Sequence, residues 1–212
     1  LPPNKILVLL YDHLLRCKGW HGAAVRNIAT THLLDAIAAE FGETCYEVPV
    51  GFKHISGKML ETGAVIGGES SGGLTVRGHI QGKDGIYAAA LLVEMMSTTG
   101  RSLSELYQEI TRRCGSFEMV ERGYRFSQEE RARIGRTLME DKALPDFGVD
   151  IQRVSYADGC KVYLRDGGWV VCRFSGTEPL LRVFCEMDDA GRAGEMAGRM
   201  EAFLGLEGRN IE

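Results

Sequence analysis

Apolar positions in the first half of the chain switch repeatedly between helical and strand-like spacing. Pro2-Pro3-Asn4 offers a helix start, and Ile6, Leu7, Leu10, Leu14 and Leu15 share one face until Gly19 and Gly22 close the segment. Ala23 to Ile28 predicts a short strand. Thr30-Thr31 is positioned to cap a second helix with Leu33, Leu34, Ile37 and Phe41 on its apolar side, ending at Gly42. A strand around Cys45 to Val48 leads through Pro49-Val50-Gly51 into a polar helical stretch reaching Leu60. Ala64-Val65-Ile66-Gly67 predicts a buried strand, and helices follow a glycine-rich loop over 84–96 and 103–114. Strand alternating with helix predicts an α/β layered (α/β/α) domain with a largely parallel or mixed sheet.

The pattern changes near Gly115. Phe117 to Phe126 predicts a strand, and Ser127 with Glu130 forms a capping box for the next helix. Strands then crowd together over 150–156, 160–164, 169–174 and 180–186, with Asp158-Gly159 and Asp166-Gly167 as hairpin turns. A helix from about Asp189 to Leu204 closes the chain. This predicts an α+β domain with an antiparallel sheet. The expected division is residues 1–114 and 115–212, with the boundary near 113–118 and no low-complexity linker.

The 212 residues are 44% hydrophobic and 25% charged, enough for two modest cores. A formal net charge of −4 and the absence of a basic run argue against nucleic acid or a membrane surface as partner. None of the six cysteines forms a C-x-x-C pair, and Cys172 and Cys185 lie in apolar stretches, so buried reduced thiols in a cytoplasmic protein are expected. No signal-peptide pattern or membrane-span run is present, and a first residue of Leu1 fits a piece of a longer chain.

Four segments carry candidate chemistry. Arg173-Phe174-Ser175-Gly176-Thr177-Glu178-Pro179, between two strands, has the makeup of a phosphate cradle. Arg173 supplies a two-pronged cation, Ser175 and Thr177 supply hydroxyls, and Gly176 is expected to adopt positive φ and expose amides. A plain hairpin turn is the alternative reading. Gly67-Gly68-Glu69-Ser70-Ser71-Gly72-Gly73 follows a buried strand. Its glycines allow close ligand approach, while Glu69 and Ser71 are suited to adjacent sugar hydroxyls; a flexible surface loop is the alternative. In the third, Gly78 to Gly85, His79 and Lys83 are possible proton carriers ahead of a helix begun by Asp84. The fourth places Gly51 before Lys53 and His54.

Taken in order, these segments resemble the alpha-D-phosphohexomutase superfamily, in its phosphoglucomutase/phosphomannomutase branch, across essentially the whole chain. Gly68-Glu69-Ser70-Ser71-Gly72 resembles that family's sugar-binding loop, with Gly51 and Lys53 as further sugar contacts. Arg173, Ser175, Gly176 and Thr177 match its phosphate-binding loop, although Phe174 stands where members usually have Pro. The resemblance implies four domains in the intact enzyme, of which this chain is similar to the third and fourth. It also implies a phosphoserine loop of the type T-A-S-H-N and a magnesium-holding D-G-D-x-D-R loop in the first two domains. This sequence contains neither. The implied activity is interconversion of hexose 1-phosphate and 6-phosphate, glucose or mannose, through a bisphosphate, with magnesium as cofactor and the missing N-terminal domains as partner. The chain itself is expected to bind sugar and phosphate and hold no metal. A mutase acting on glucosamine or N-acetylglucosamine phosphate, and a non-catalytic phosphosugar-binding relative, are the alternatives.

Overall fold

The computed structural model of the chain describes residues 1–211. It divides into two compact units, Leu1–Ser116 and a second beginning at Phe117.

In the first unit, α1 (Pro3–Arg16) precedes β1 (Ala24–Asn27), α2 (Leu33–Glu40), β2 (Cys45–Val48), α3 (Phe52–Thr62), β3 (Ile66–Gly68), β4 (Leu74–Val76), α4 (Gly85–Thr99) and α5 (Leu103–Cys114). The sheet order is β2-β1-β3-β4. Register pairs Asn27 with Val48 and Arg26 with Gly68 in parallel, while Gly68 pairs with Leu74 in antiparallel. The connection through α2 therefore leaves β1 in one direction, and the connection through α3 returns past it to β3. This reversal opens a crevice at the carboxyl ends of β1 and β3, where ligands of open α/β sheets bind.

Successive glycines of β3 mark the two faces of the sheet. A Cβ on Gly67 would lie 2.5 Å from Ile55 and from Met59 of α3, and one on Gly68 would lie 2.8 Å from Leu7 of α1. Adjacent strand positions point to opposite faces, so α3 covers one side and α1 the other, and only a bare backbone fits between them. The side of α3 is filled by Val25, Val48, Ile55 and Met59, while α1 packs with α2, α4 and α5 on the opposite side.

Strand β4 was not anticipated from the sequence, because Leu74-Thr75-Val76 is too short to show a period amid polar and glycine residues. A second difference lies at the start of α2. Thr31 Oγ1 accepts from the Leu33 amide at 3.1 Å, whereas Thr30 turns away from the helix toward the loop after β3.

The second unit is an antiparallel sheet in the order β5-β9-β8-β7-β6, formed by β5 (Glu118–Arg125), β6 (Ile151–Ser155), β7 (Cys160–Leu164), β8 (Trp169–Phe174) and β9 (Leu180–Met187). Helix α6 (Gln128–Gly135) begins with the Ser127/Glu130 capping box and continues as a π-helical turn over Arg136–Glu140. The closing helix α7 (Ala190–Leu204) is capped by Asp189, whose carboxylate accepts from the Arg192 amide. Its Ala193, Met196, Ala197 and Met200 pack with Val170, Cys172, Val183 and Cys185 from one sheet face. No helix among the described residues is long and apolar enough to cross a membrane.

Gly67→Ala is expected to lower stability by about 1–3 kcal/mol through overpacking against α3, read as a shift of the urea midpoint. An unchanged midpoint would contradict the tight layering at β3.

Candidate functional site

At the end of β3 the chain turns sharply. The Glu69 amide donates to Gly73 O at 2.9 Å, and the Gly72 amide donates to Glu69 O at 2.9 Å. Glu69 is only 5% exposed, so its carboxylate needs donors. Three are present. Its Oε1 accepts from the Gly51 amide at 3.1 Å and from Asn27 Nδ2 at 3.3 Å, and its Oε2 lies 3.0 Å from Lys83 Nζ. These donors come from the ends of β1 and β2 and from the segment before α4. Gly51 has φ of 130°, a conformation open to glycine, and this turn presents its amide to Glu69.

Asn27 and Thr30 tie the loop to β1. Asn27 Oδ1 accepts from the Ala29 amide at 2.9 Å and from Thr30 Oγ1 at 2.8 Å, and Thr30 Oγ1 accepts from the Ser70 amide at 2.9 Å. Both residues are buried. Sequence reasoning passed over Asn27 and read Thr30 as a helix cap. The only available signal was a polar residue at the carboxyl end of a buried strand.

The other candidates of this unit stand differently. Ser71 and Lys53 are exposed. Lys83 lies over the Phe52 ring at 5.4 Å and fills the space beside Gly73, where a Cβ would meet it at 2.5 Å. His79 is engaged by Asp84 and Tyr87. Its Nε2 is 2.8 Å from Asp84 Oδ2, and its ring stacks on Tyr87 at 4.0 Å. Hydrogen bonds from the Tyr87 amide and from His79 hold the Asp84 carboxyl below its ordinary range.

In the second unit, the loop from Arg173 to Pro179 joins β8 to β9. The Ser175 amide donates to Leu180 O at 2.7 Å. The amides of Thr177 and Glu178 reach Ser175 Oγ at 3.4 and 3.3 Å, and the Ser175 and Thr177 hydroxyls are 3.4 Å apart. These bonds are long, so the same donors are available to a better acceptor. Arg173 is turned to Asp158 of the β6–β7 turn, with Nε and Nη2 each 3.3 Å from Oδ1. That turn sits hard against Arg173. Gly159 has φ of +83°, and a Cβ there would lie 2.6 Å from Arg173 Cβ and from Cys172 O.

One expectation for this loop changes. Gly176 does not adopt positive φ, and a Cβ there would meet nothing within 4 Å. Its value is an unobstructed approach to the backbone, and the left-handed turn lies at Gly159 instead. Arg182 is paired opposite Arg173 in the ladder, and its guanidinium is taken by Glu121 at 2.6 Å and Glu178 at 3.4 Å. Phe174 stacks edge-on to Phe126 at 5.0 Å, with Arg131 5.1 Å from its ring, which gives this side chain a packing role.

With this geometry in place, likeness to known proteins adds the family. Residues 2–114 match the description "Phosphoglucomutase/phosphomannomutase, alpha/beta/alpha domain III", and residues 129–203 match the "C-terminal domain" of the same family. The chain belongs to the phosphoglucomutase/phosphomannomutase family. It is 31% identical over 192 residues to a phosphoglucomutase/phosphomannomutase of Thermococcus kodakarensis, covering 91% of this chain and 40% of that protein. It is equally 31% identical over 207 residues to a phosphoglucosamine mutase of Rubrobacter xylanophilus, covering 96% of this chain and 42% of that protein. A solved structure from Thermus thermophilus matches 96% of this chain and 41% of its own length, with a TM-score of 0.77 and 27% identity. The chain thus spans about two fifths of the length of these relatives.

Family resemblance implies magnesium in the intact enzyme. Among the described residues no group of three or more His, Cys, Asp or Glu side chains is placed to hold a metal ion, so these residues do not fit a magnesium site. Nor do the buried cysteines suit nucleophilic work. Burial pushes the Cys160 thiol up to about 11 and the Cys185 thiol up to about 12, far from the thiolate form.

Gly159→Ala is expected to destabilise the second unit by more than about 1 kcal/mol through strain and overlap, while Gly176→Ala stays within about 0.5 kcal/mol. Thermal unfolding of both variants distinguishes them; equal shifts would contradict the assignment of the strained turn.

Proposed function

We propose that this chain is the substrate-holding part of a phosphohexose mutase, with the first unit reading the sugar and the second gripping a phosphate. The observation that carries the reading is the placement of Glu69. A carboxylate is held at the β1/β3 crevice by donors from the ends of β1 and β2 and from the segment before α4, which is the place where an α/β sheet binds ligand. Family membership supplies the reaction class. The reading extends to residues 1–114 as the sugar-binding domain and residues 115–212 as the phosphate-binding domain.

In the proposed mechanism, interconversion of hexose 1-phosphate and 6-phosphate passes through a bisphosphate that turns over in the site. Such an enzyme must hold the sugar in two opposite orientations. A carboxylate that reads hydroxyls near the middle of the ring, with one fixed cradle for the phosphate not reacting, meets that requirement. Positioning and electrostatic stabilisation carry most of phosphoryl-transfer catalysis, and these residues contribute the positioning.

A carboxylate offers about four acceptor sites. Protein donors take two on Oε1 and one on Oε2. A sugar hydroxyl therefore reaches Glu69 through Oε2, and Lys83, which is exposed, either shares that oxygen with it or gives way. Ser71 at the tip of the turn supplies the neighbouring polar contact, and Gly51 and Lys53 border the same crevice end. His79, fixed by Asp84 and Tyr87, is a proton carrier only for a ligand that reaches its ring from outside that pair.

In the second unit the amides of Thr177 and Glu178 and the hydroxyls of Ser175 and Thr177 exchange long internal bonds for bonds to phosphate oxygens. Arg173 adds charge-assisted hydrogen bonds. The phosphoserine and the magnesium site belong to the preceding domains in this reading. The chain by itself binds and does not turn over substrate. Glucose, mannose and glucosamine phosphates all fall within the class.

In the full-length enzyme, Glu69→Gln is expected to lower kcat/KM by roughly 100-fold through loss of charge-assisted hydrogen bonds to the sugar. The isosteric change keeps the buried site filled. Hexose-phosphate mutase kinetics equal to the parent would remove Glu69 from sugar recognition. Arg173→Lys is expected to weaken hexose-phosphate binding at least several-fold, because an ammonium lacks the two-pronged geometry. An unaltered Kd, measured by calorimetry, would overturn the cradle. Finally, the purified 212-residue chain is expected to show no mutase turnover above a blank from the same host, and measurable turnover would place the reacting groups within it.

A further inference from the structure

An arginine grips phosphate by geometry as well as charge, so the plane of its guanidinium has to be held in place. A long side chain leaving a strand end has too much freedom to hold itself. For Arg173 the base of the side chain is secured by packing. Pairing of Cys160 with Cys172 in the β7–β8 ladder sets the Asp158-Gly159 turn beside the end of β8. Gly159, at φ of +83°, sits so close that a Cβ there would lie 2.6 Å from Arg173 Cβ. Beyond that base the packing is open. A cavity of about 180 Å³ adjoins Asp158, Arg173 and Phe174 and is also bordered by Ile134, Gly135 and Leu138 of α6 and the π-helical turn. A Cβ on Gly135 would meet nothing within 4 Å.

The orientation of the guanidinium is therefore left to hydrogen bonds, and Asp158 makes them. Its Oδ1 accepts from both Nε and Nη2 of Arg173, each at 3.3 Å. Those two donors form the side edge of the planar group. The N–H groups of a guanidinium stand in a fixed fork, so holding the side edge directs the end-on edge formed by Nη1 and Nη2. Among the described residues Nη1 has no hydrogen-bond partner. The Arg173 and Asp158 side chains are 14% and 21% exposed, partly withdrawn from the water that weakens surface ion pairs. By charge alone, however, this is a poor place for a carboxylate. A negative group 3.3 Å from the cation that meets phosphate opposes the binding of an anion.

We propose that Asp158 is a positioning residue for phosphate: it holds the side edge of Arg173 so that the end-on edge faces the anion, and this orientation outweighs the repulsion. The inference rests on the reading of the β8–β9 loop as a phosphate cradle. Orientation and repulsion have opposite signs. Removing the carboxylate strengthens binding if its charge dominates and weakens binding if its hydrogen bonds do.

The test uses the full-length enzyme and measures the Kd of glucose 6-phosphate by calorimetry, with EDTA present to suppress turnover. Asp158→Ala is expected to weaken binding roughly five-fold or more. Asp158→Asn, which keeps an oxygen acceptor and loses the charge, is expected to recover most of that loss. An Asp158→Ala affinity equal to the parent's would overturn the proposal. A tighter one would do the same, since Asp158 would then be a competitor of phosphate. Asp158→Asn binding as weak as that of Asp158→Ala also counts against it. A double-mutant cycle separates positioning from damage to the turn. In an Arg173→Ala background, Asp158→Ala is expected to move Kd by less than about two-fold, because the residue acts through Arg173. A further loss as large as in the parent would mean general damage to the loop and overturn the positioning role. Arg173→Ala by itself tells the two readings apart. If it weakens binding while Asp158→Ala does not, the cradle stands and only the positioning role falls; if it leaves Kd unaltered, both fall.

Discussion

A carboxylate withdrawn from water must be given donors or lose its charge, and in this molecule that demand falls on Glu69. The donors that meet it arrive from the end of β1, the turn after β2 and the segment before α4. The first two are brought to Glu69 because parallel register gathers the carboxyl ends of β1, β2 and β3 at one edge, and Lys83 reaches it from the segment that follows β4. The loop is therefore no flexible surface run of glycine and serine. Its backbone is tied to Thr30 and its acidic side chain is built into the end of the sheet. The two glycines that precede it on β3 admit the helices on both faces.

The second unit solves a different problem. In the proposed phosphate-binding role, a strand-to-strand turn that receives an anion cannot have its donors fully consumed by the fold. Here the amides of Thr177 and Glu178 rest on a single serine hydroxyl at the outer limit of hydrogen bonding, and Arg173 rests on Asp158. The loop is pre-folded but loosely satisfied, which lowers the reorganisation needed on binding. Asp158 also keeps a partly buried guanidinium paired.

Much of this was legible in the chain. The order of elements, the change from alternating helix and strand to consecutive strands, the Ser127/Glu130 capping box and the hairpin turns all depend on local chemistry, and each appears close to its expected place. The four chemical segments were equally visible, because glycine, serine, arginine and carboxylate residues cluster there without any pattern that packing requires. Strand β4 was hidden because three residues are too few to establish a period.

By itself, then, the sequence determined the fold class, the two kinds of sheet and the segments where candidate chemistry clusters, since these follow from periodicity and residue type. Tertiary structure alone decided which of them meet. It joined Gly51 and Lys83 to Glu69, paired His79 with Asp84, enlisted Asn27 and Thr30, and left Gly176 without the positive φ that its loop suggested. Those outcomes depend on strand register and on contacts between residues 15 to 42 positions apart, and no local preference of the chain encodes them.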